Sequence, residues 1–401
     1  MTKIKVCDAV MSAGKTMAAI TEMNERTDKK FVFVTPYLEE VDRIIASCPS
    51  RMFAEPDADV YGTKLMHFKA LARAGRNIAC THALFESYDD EALDEIERNG
   101  YTLILDEVLD AVEVLRVSER NLKMMLDFGV IAVDETGRVV WCDDDDSGGI
   151  LWNVREYIKT GYVTLRDNKL LLWRLPIRLF TAFQEVIILT YMFDVQVLAY
   201  HFESCGIEAQ KIGTNLIGGT YRFTGNPSPS KINLPPIHIL EDKKLNKIGD
   251  KRNALSVGWY QKSTSAQRKA LRNTVYNVIR NVYGVKSSQC LWTTFAEFQD
   301  DLKGNGYSKS FASCSMRATN KWSDRNYLIY TVNRFMPPPL TAYFNGIGIS
   351  VDQDGWALSE MIQWIWRSAI RKGEEIWIYV PSSRMRKLLK DWIAEVSEYG
   401  Y

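Results

Sequence analysis

Ala9-Val10-Met11-Ser12-Ala13-Gly14-Lys15-Thr16 is the stretch that decides the fold. It fits the phosphate-binding loop with Ala in place of its first Gly. It follows a strand-like run at 4–7 and opens a helix-spaced run at 15–25. Each position has a physical role. Backbone N–H groups of Ser12, Ala13, Gly14, Lys15 and Thr16, backed by the helix N-terminus, are placed to cradle phosphate oxygens. Lys15 is expected to reach the β- and γ-phosphates, and the Thr16 hydroxyl to ligate Mg²⁺. Without the strand-loop-helix context the same residues would be a turn with a solvated lysine.

Outward from this loop, short apolar runs at 31–35, 77–81 and 102–105 alternate with helix-spaced runs at 36–47, 64–74 and 83–98. Such alternation implies an α/β fold, with a parallel sheet flanked by helices that binds ligands at the carboxyl ends of its strands. A second signal stands at that rim. Leu103-Ile104-Leu105 delivers Asp106 and Glu107 side by side, 90 residues after Thr16. Asp106 is expected to hold Mg²⁺ and Glu107 to polarise the attacking water; the other reading is a pair of turn carboxylates.

The alternation breaks at 113–180, read as an insertion in the first lobe. Two β-hairpins are expected there, 130–133 with 139–142 and 163–165 with 170–173, the second turning at Asp167-Asn168. The acidic run 143–146 and Ser147-Gly148-Gly149 read as an exposed turn, and 186–189 returns to the sheet. Residues 1–205 therefore read as a first lobe and 206–260 as a linker and strand region rich in turn residues, such as Asn226-Pro227-Ser228-Pro229-Ser230. Residues 261–401 read as a second α/β lobe, with helices at 266–282 and 357–371, strands at 289–293, 327–332 and 376–380, and a C-terminal helix.

Composition narrows the class. The chain has 401 residues, 50 basic and 50 acidic, and is 46% hydrophobic, so it has ample material for packed cores. No apolar run approaches the ~18 residues of a membrane span, and the first residues do not form a signal peptide, which predicts a cytoplasmic protein. The seven cysteines contain no Cys-x-x-Cys pair, and the four histidines show no metal-ligand spacing. Charge is split: residues 1–204 carry 23 basic and 34 acidic groups (−11), and residues 205–401 carry 27 and 16 (+11). A basic second half is suited to facing phosphates, or is an uneven scatter of solvated charge.

A third signal lies at 360–371. At helical spacing Leu358, Met361, Ile362, Ile365 and Ala369 share one face, while Gln363, Arg367 and Arg371, each four apart, lie opposite. Such a stripe is either solvated or positioned to reach a γ-phosphate held by the other lobe.

Taken in order, these residues resemble those of superfamily 2 helicases and translocases, of the DEAD/DEAH-like kind with two RecA-like lobes. Gly14-Lys15-Thr16 is similar to motif I, Val34-Thr35-Pro36 to motif Ia, and Cys80-Thr81-His82 to the Thr-containing motif after the third strand. Asp106-Glu107 is similar to motif II, Leu189-Thr190 to motif III, and Gln363…Arg367…Arg371 to motif VI. Residues 326–335 and 359–386 also resemble phage-encoded helicase-like proteins. Leu109 stands where motif II usually has its fourth-position Asp or His. Arg371 falls eight residues after Gln363 rather than seven, and Asn333-Arg334 is the best candidate for motif V. The eight residues before the loop leave no room for an upstream adenine-reading motif.

The resemblance implies ATP and Mg²⁺ as cofactors, with catalysis by Lys15, Glu107, Gln363, Arg367 and Arg371. It implies nucleic acid as partner, DNA rather than RNA, contacted through Thr35, Pro36, Thr81, His82 and Asn333. It also implies a replication or recombination protein as a further partner, no membrane, and the host cytoplasm for a phage-encoded chain. Two rivals stand beside it: a P-loop nucleoside or nucleotide kinase, and an ATPase module that binds nucleic acid or a partner without unwinding. Trp292, Trp322 and Phe335 are the candidates for stacking on bases, against core packing.

Overall fold

A computed structural model describes residues 2–115, 117–143, 152–166, 169–228, 232–316 and 321–397. The acidic run beyond Asp143 and the Asp167-Asn168 turn lie outside the described residues. Strands β1 (Lys3–Asp8), β2 (Lys30–Thr35), β3 (Ile78–Thr81) and β4 (Tyr101–Asp106) form where the short apolar runs stand. All of Phe31–Thr35 is buried, as a parallel strand covered on both faces requires.

The insertion holds β5 (Val112–Leu115), β6 (Ile131–Val133), β7 (Val139–Trp141), β8 (Val163–Arg166) and β9 (Leu170–Arg174). Both expected hairpins are present, β6 with β7 and β8 with β9, and β5 adds a third strand to the latter. The chain then returns through β10 (Glu185–Thr190), β11 (Gln210–Ile217) and β12 (Thr220–Thr224). The large sheet runs β12-β11-β1-β10-β4-β2-β3, and only β12 is antiparallel to its neighbour. In the second lobe, β13 (Ile237–Ile239), β14 (Cys290–Thr293), β15 (Tyr327–Tyr330) and β16 (Ile376–Tyr379) make a parallel sheet in the order β13-β16-β15-β14.

Residues 206–260, expected as a linker and strand region, carry strands that join both sheets: β11 and β12 extend the first and β13 begins the second. Ile212 is buried beside Cys7 and Leu189, which anchors β11. Gly218 and Gly219 both take positive φ and close the hairpin in two residues, as a Gly-Gly turn does. One expectation needs correction, and it concerns the helix that carries Gln363. The helix expected at 357–371 runs instead from Gln353 to Ile365, with Trp366 as its C-cap. Ser368 is extended and its hydroxyl donates to the Ile365 carbonyl at 2.6 Å, after which Ala369–Lys372 forms a short 3₁₀ turn. A serine hydroxyl competing for backbone partners is a known way to end a helix.

The lobes are packed on one another. Val112, Leu172 and Tyr200 of the first lobe share an apolar cluster with Phe344 and Trp356 of the second. The Tyr200 hydroxyl accepts the Asp352 N–H at 3.0 Å, and Trp392 Nε1–H donates to the Tyr191 hydroxyl at 2.9 Å. Among the described residues no helix is long and apolar enough to cross a membrane.

Candidate active site

Sheet register builds the site. Asp8 of β1 lies opposite Thr190 of β10, and Leu189 opposite Asp106 of β4. The three strands therefore end at one level, and the loops leaving them meet there. Asp8 holds the turn after β10, accepting the N–H groups of Met192 and Phe193 at 2.7 and 3.1 Å.

The loop after β1 turns through two left-handed residues, Ser12 (φ 68°) and Gly14 (φ 81°), and Gly14 caps the helix Lys15–Glu25. No side chain caps this helix, and its first turn has no acidic residue. Its first N–H groups and its positive end are thus available to an anion. Lys15 Nζ folds back onto the carbonyls of Ala9 and Val10, at 2.5 and 3.0 Å. Burial lowers its pKa, opposed by the negative charge of Asp106, Glu107 and Asp8.

Facing the loop, Asp106 is pushed up to about 7, first by burial and then by repulsion from Glu107 and Glu40. Glu107 stands at φ 65°, a left-handed conformation that costs a non-glycine residue about 1–3 kcal/mol and is concentrated at functional sites. Its N–H is held by the Leu189 carbonyl at 3.0 Å, tying β4 to β10 across the rim.

The second lobe completes the enclosure. Arg367, just past the helix Gln353–Ile365, is 4% exposed, and its Nη2 donates to Glu107 Oε1 at 3.0 Å. Its Nε is buried without a hydrogen-bond partner. Gln363 lies within the helix but Arg367 and Arg371 lie beyond its end, so the three do not form one solvated helical stripe. Gln363 and Arg367 turn toward the first lobe, and Arg371 sits exposed at the rim, where its carbonyl accepts the Ser12 hydroxyl at 3.4 Å.

A cavity of about 310 Å³ joins these groups: Ser12, Gly14, Lys15, Thr16, Asp106 and Glu107 from one lobe, Gln363, Arg367 and Arg371 from the other. Ala13 contributes only as backbone, its carbonyl accepting the Thr214 hydroxyl at 2.8 Å. Tyr221, Glu40, Arg43, Gln196 and Glu360 also line the cavity, and no motif in the sequence marks them. The residues expected at nucleic acid lie elsewhere. Thr35 is fully buried, Pro36 and Thr81 stand half-buried at the ends of β2 and β3, and His82 Nε2–H donates to the Asp106 carbonyl at 3.0 Å. Asn333 is buried, donating to the carbonyls of Arg252 and Ala254 and accepting from Arg384. Trp292 and Trp322 are core residues, and Phe335 lies under the Arg384 guanidinium at 4.2 Å.

Residues 233–393 match the family model described as the YonV C-terminal Rossmann-like domain. Over 98% of its length the chain is 38% identical to the SPbeta prophage-derived uncharacterized protein YonV of Bacillus subtilis (strain 168), spanning 99% of that protein. The chain belongs to the YonV family. Its two-lobe fold resembles that of solved helicase structures. Apo XPD superposes with a TM-score of 0.52, 11% identity, and coverage of 96% of this chain and 95% of XPD. An XPD helicase structure gives 0.50, 12% identity, and 97% and 94% coverage. In this YonV-family chain the RecA-like arrangement is thus reached with almost no shared sequence, through sheet order and the converging rim.

The Glu107–Arg367 pair can be weighed in isolation. A double-mutant cycle of Glu107→Gln and Arg367→Ala, followed by urea unfolding, should return a coupling of about 1–3 kcal/mol. A coupling near zero would mean that the two lobes do not rely on this contact.

Proposed function

We propose that this YonV-family protein is an ATP hydrolase that couples turnover to movement along, or unwinding of, a nucleic-acid strand. The observation that carries the reading is the convergence, in one cavity between two lobes, of an uncapped helix N-terminus with its lysine, two adjacent carboxylates, and an arginine from the opposite lobe. The net +11 charge of residues 205–401 suits a phosphate backbone. The prophage origin of its relative favours DNA as the strand and a host cytoplasm as the setting.

The residues divide the work. N–H groups from Gly14 to Thr16 bind the phosphates, and Lys15 leaves the Ala9 and Val10 carbonyls to neutralise them. Thr16 and Asp106 would hold Mg²⁺, which supplies charge neutralisation to the phosphates when bound. A half-buried carboxylate crowded by Glu107 and Glu40 fits an ion that takes one or two carboxylates and completes its shell with water and phosphate. Glu107 accepts the proton of the attacking water at its carboxylate. In this structure Arg367 Nη2 donates to Oε1 of that carboxylate. In the proposed cycle Arg367 moves from Glu107 to the transferring phosphoryl group. This exchange frees the base and lets the lobes shift relative to one another.

ATPase activity measured alone and with single-stranded DNA, RNA or duplex DNA tests the reading. Stimulation by a nucleic acid is expected; hydrolysis indifferent to all of them would favour a kinase or partner-bound ATPase. Lys15→Ala should lose nucleotide binding and hydrolysis in a folded protein. Glu107→Gln should keep binding and hydrolyse at least about a hundredfold more slowly. Near-normal turnover in both variants would overturn the site.

A further inference from the structure

The β11–β12 hairpin is fastened to the phosphate loop at two points and to the helix that follows it at a third. Thr214 donates its hydroxyl to the Ala13 carbonyl at 2.8 Å. The Tyr221 ring lies on Gly14 so closely that a Cβ at that glycine would stand 2.1 Å from Cδ1. Arg222 forms a two-pronged pair with Glu25, near the far end of the helix that the loop opens. Tyr221 and Met17, the residue after Thr16, line the cavity together, and Met17 is 48% exposed. An aromatic face and a thioether are thus offered beside the phosphate-holding turn, apart from the carboxylates and arginines that close the other side.

We propose that Tyr221 and Met17 form the base subsite of the cavity, with a purine stacked on the Tyr221 ring and Met17 against its edge. This rests on the reading of the cavity as a nucleoside triphosphate site. Phosphates fixed on the N–H groups of 14–16 would leave the nucleoside directed toward the side of the cavity that Tyr221 and Met17 line. Arg222, the neighbouring charged group, is held by Glu25 and is not offered to a base edge. The subsite therefore selects by stacking: purines bind better than pyrimidines, and ATP and GTP bind alike. It also explains why position 14 must be glycine beyond its positive φ, since any side chain there would displace the ring.

The test compares affinities of the full-length protein for ATP, GTP, CTP and inorganic tripolyphosphate, each with Mg²⁺. Wild type, Tyr221→Phe, Tyr221→Leu and Tyr221→Ala are measured side by side. Tyr221→Phe should bind ATP as wild type does. Tyr221→Leu and Tyr221→Ala should each lose about tenfold for ATP and GTP, as the removal of one base–aromatic stack predicts. Both should bind CTP with a smaller loss and tripolyphosphate unchanged. The leucine variant keeps apolar bulk on the loop, so its loss reports the π face rather than folding. Equal weakening of ATP and tripolyphosphate would show that the ring only shapes the loop, and unchanged ATP affinity would remove it from the site; either overturns the proposal. A wild type that binds tripolyphosphate as tightly as ATP also overturns it, while leaving the phosphate site standing. One that binds neither overturns both.

Discussion

A guanidinium from one lobe meets a carboxylate of the other at 3.0 Å, and the functional geometry depends on that contact. Arg367 is almost wholly buried, and a buried charge without a counter-ion is costly, so it must have either Glu107 or another anion beside it. That requirement makes the contact a choice between two partners. With Glu107 the lobes are held in the arrangement seen here. With a phosphoryl group in its place, the arginine's charge is satisfied from within the cavity and Glu107 is released.

The rim gives this choice its energy. Burial first, and then the repulsion of Glu107 and Glu40, push Asp106 up to about 7. The backbone at Glu107 is held left-handed by its N–H bond to Leu189, and the register of β1, β10 and β4 leaves no slack to relax it. A polyanion with its cation would lower the repulsion among these groups. The apolar contact of Val112, Leu172 and Tyr200 with Phe344 and Trp356 packs the lobes together away from these polar contacts.

Local structure was legible in the sequence because it is written in consecutive residues. A strand, a tight loop with Gly14 and a helix opening on Lys15 need only near neighbours, as does a buried strand that ends in Asp106-Glu107. Long-range geometry was not. The stripe of Gln363, Arg367 and Arg371 assumed an unbroken helix, but Ser368 ends it, and Arg367 reaches Glu107 from a turn. Asn333 and His82 matched family positions, but their bonds to backbone carbonyls could not be read from spacing. The Gly218-Gly219 pair was a readable hairpin signal within the linker and strand region, and it marks Tyr221 as a residue of the hairpin's second strand. Its seat on Gly14 could not be read, since it depends on the pairing of β11 with β1.

The partner exchange of Arg367 is tested most directly by measuring, in Arg367→Ala, both the affinity for a nonhydrolysable ATP analogue with Mg²⁺ and the ATPase turnover. With no resting pair to break, the analogue should bind at least as tightly as to wild type. Turnover should fall by about a thousandfold or more, as for other arginines that stabilise a transferring phosphoryl group. Wild-type turnover, or a loss of affinity that accounts for the whole loss of activity, would contradict it.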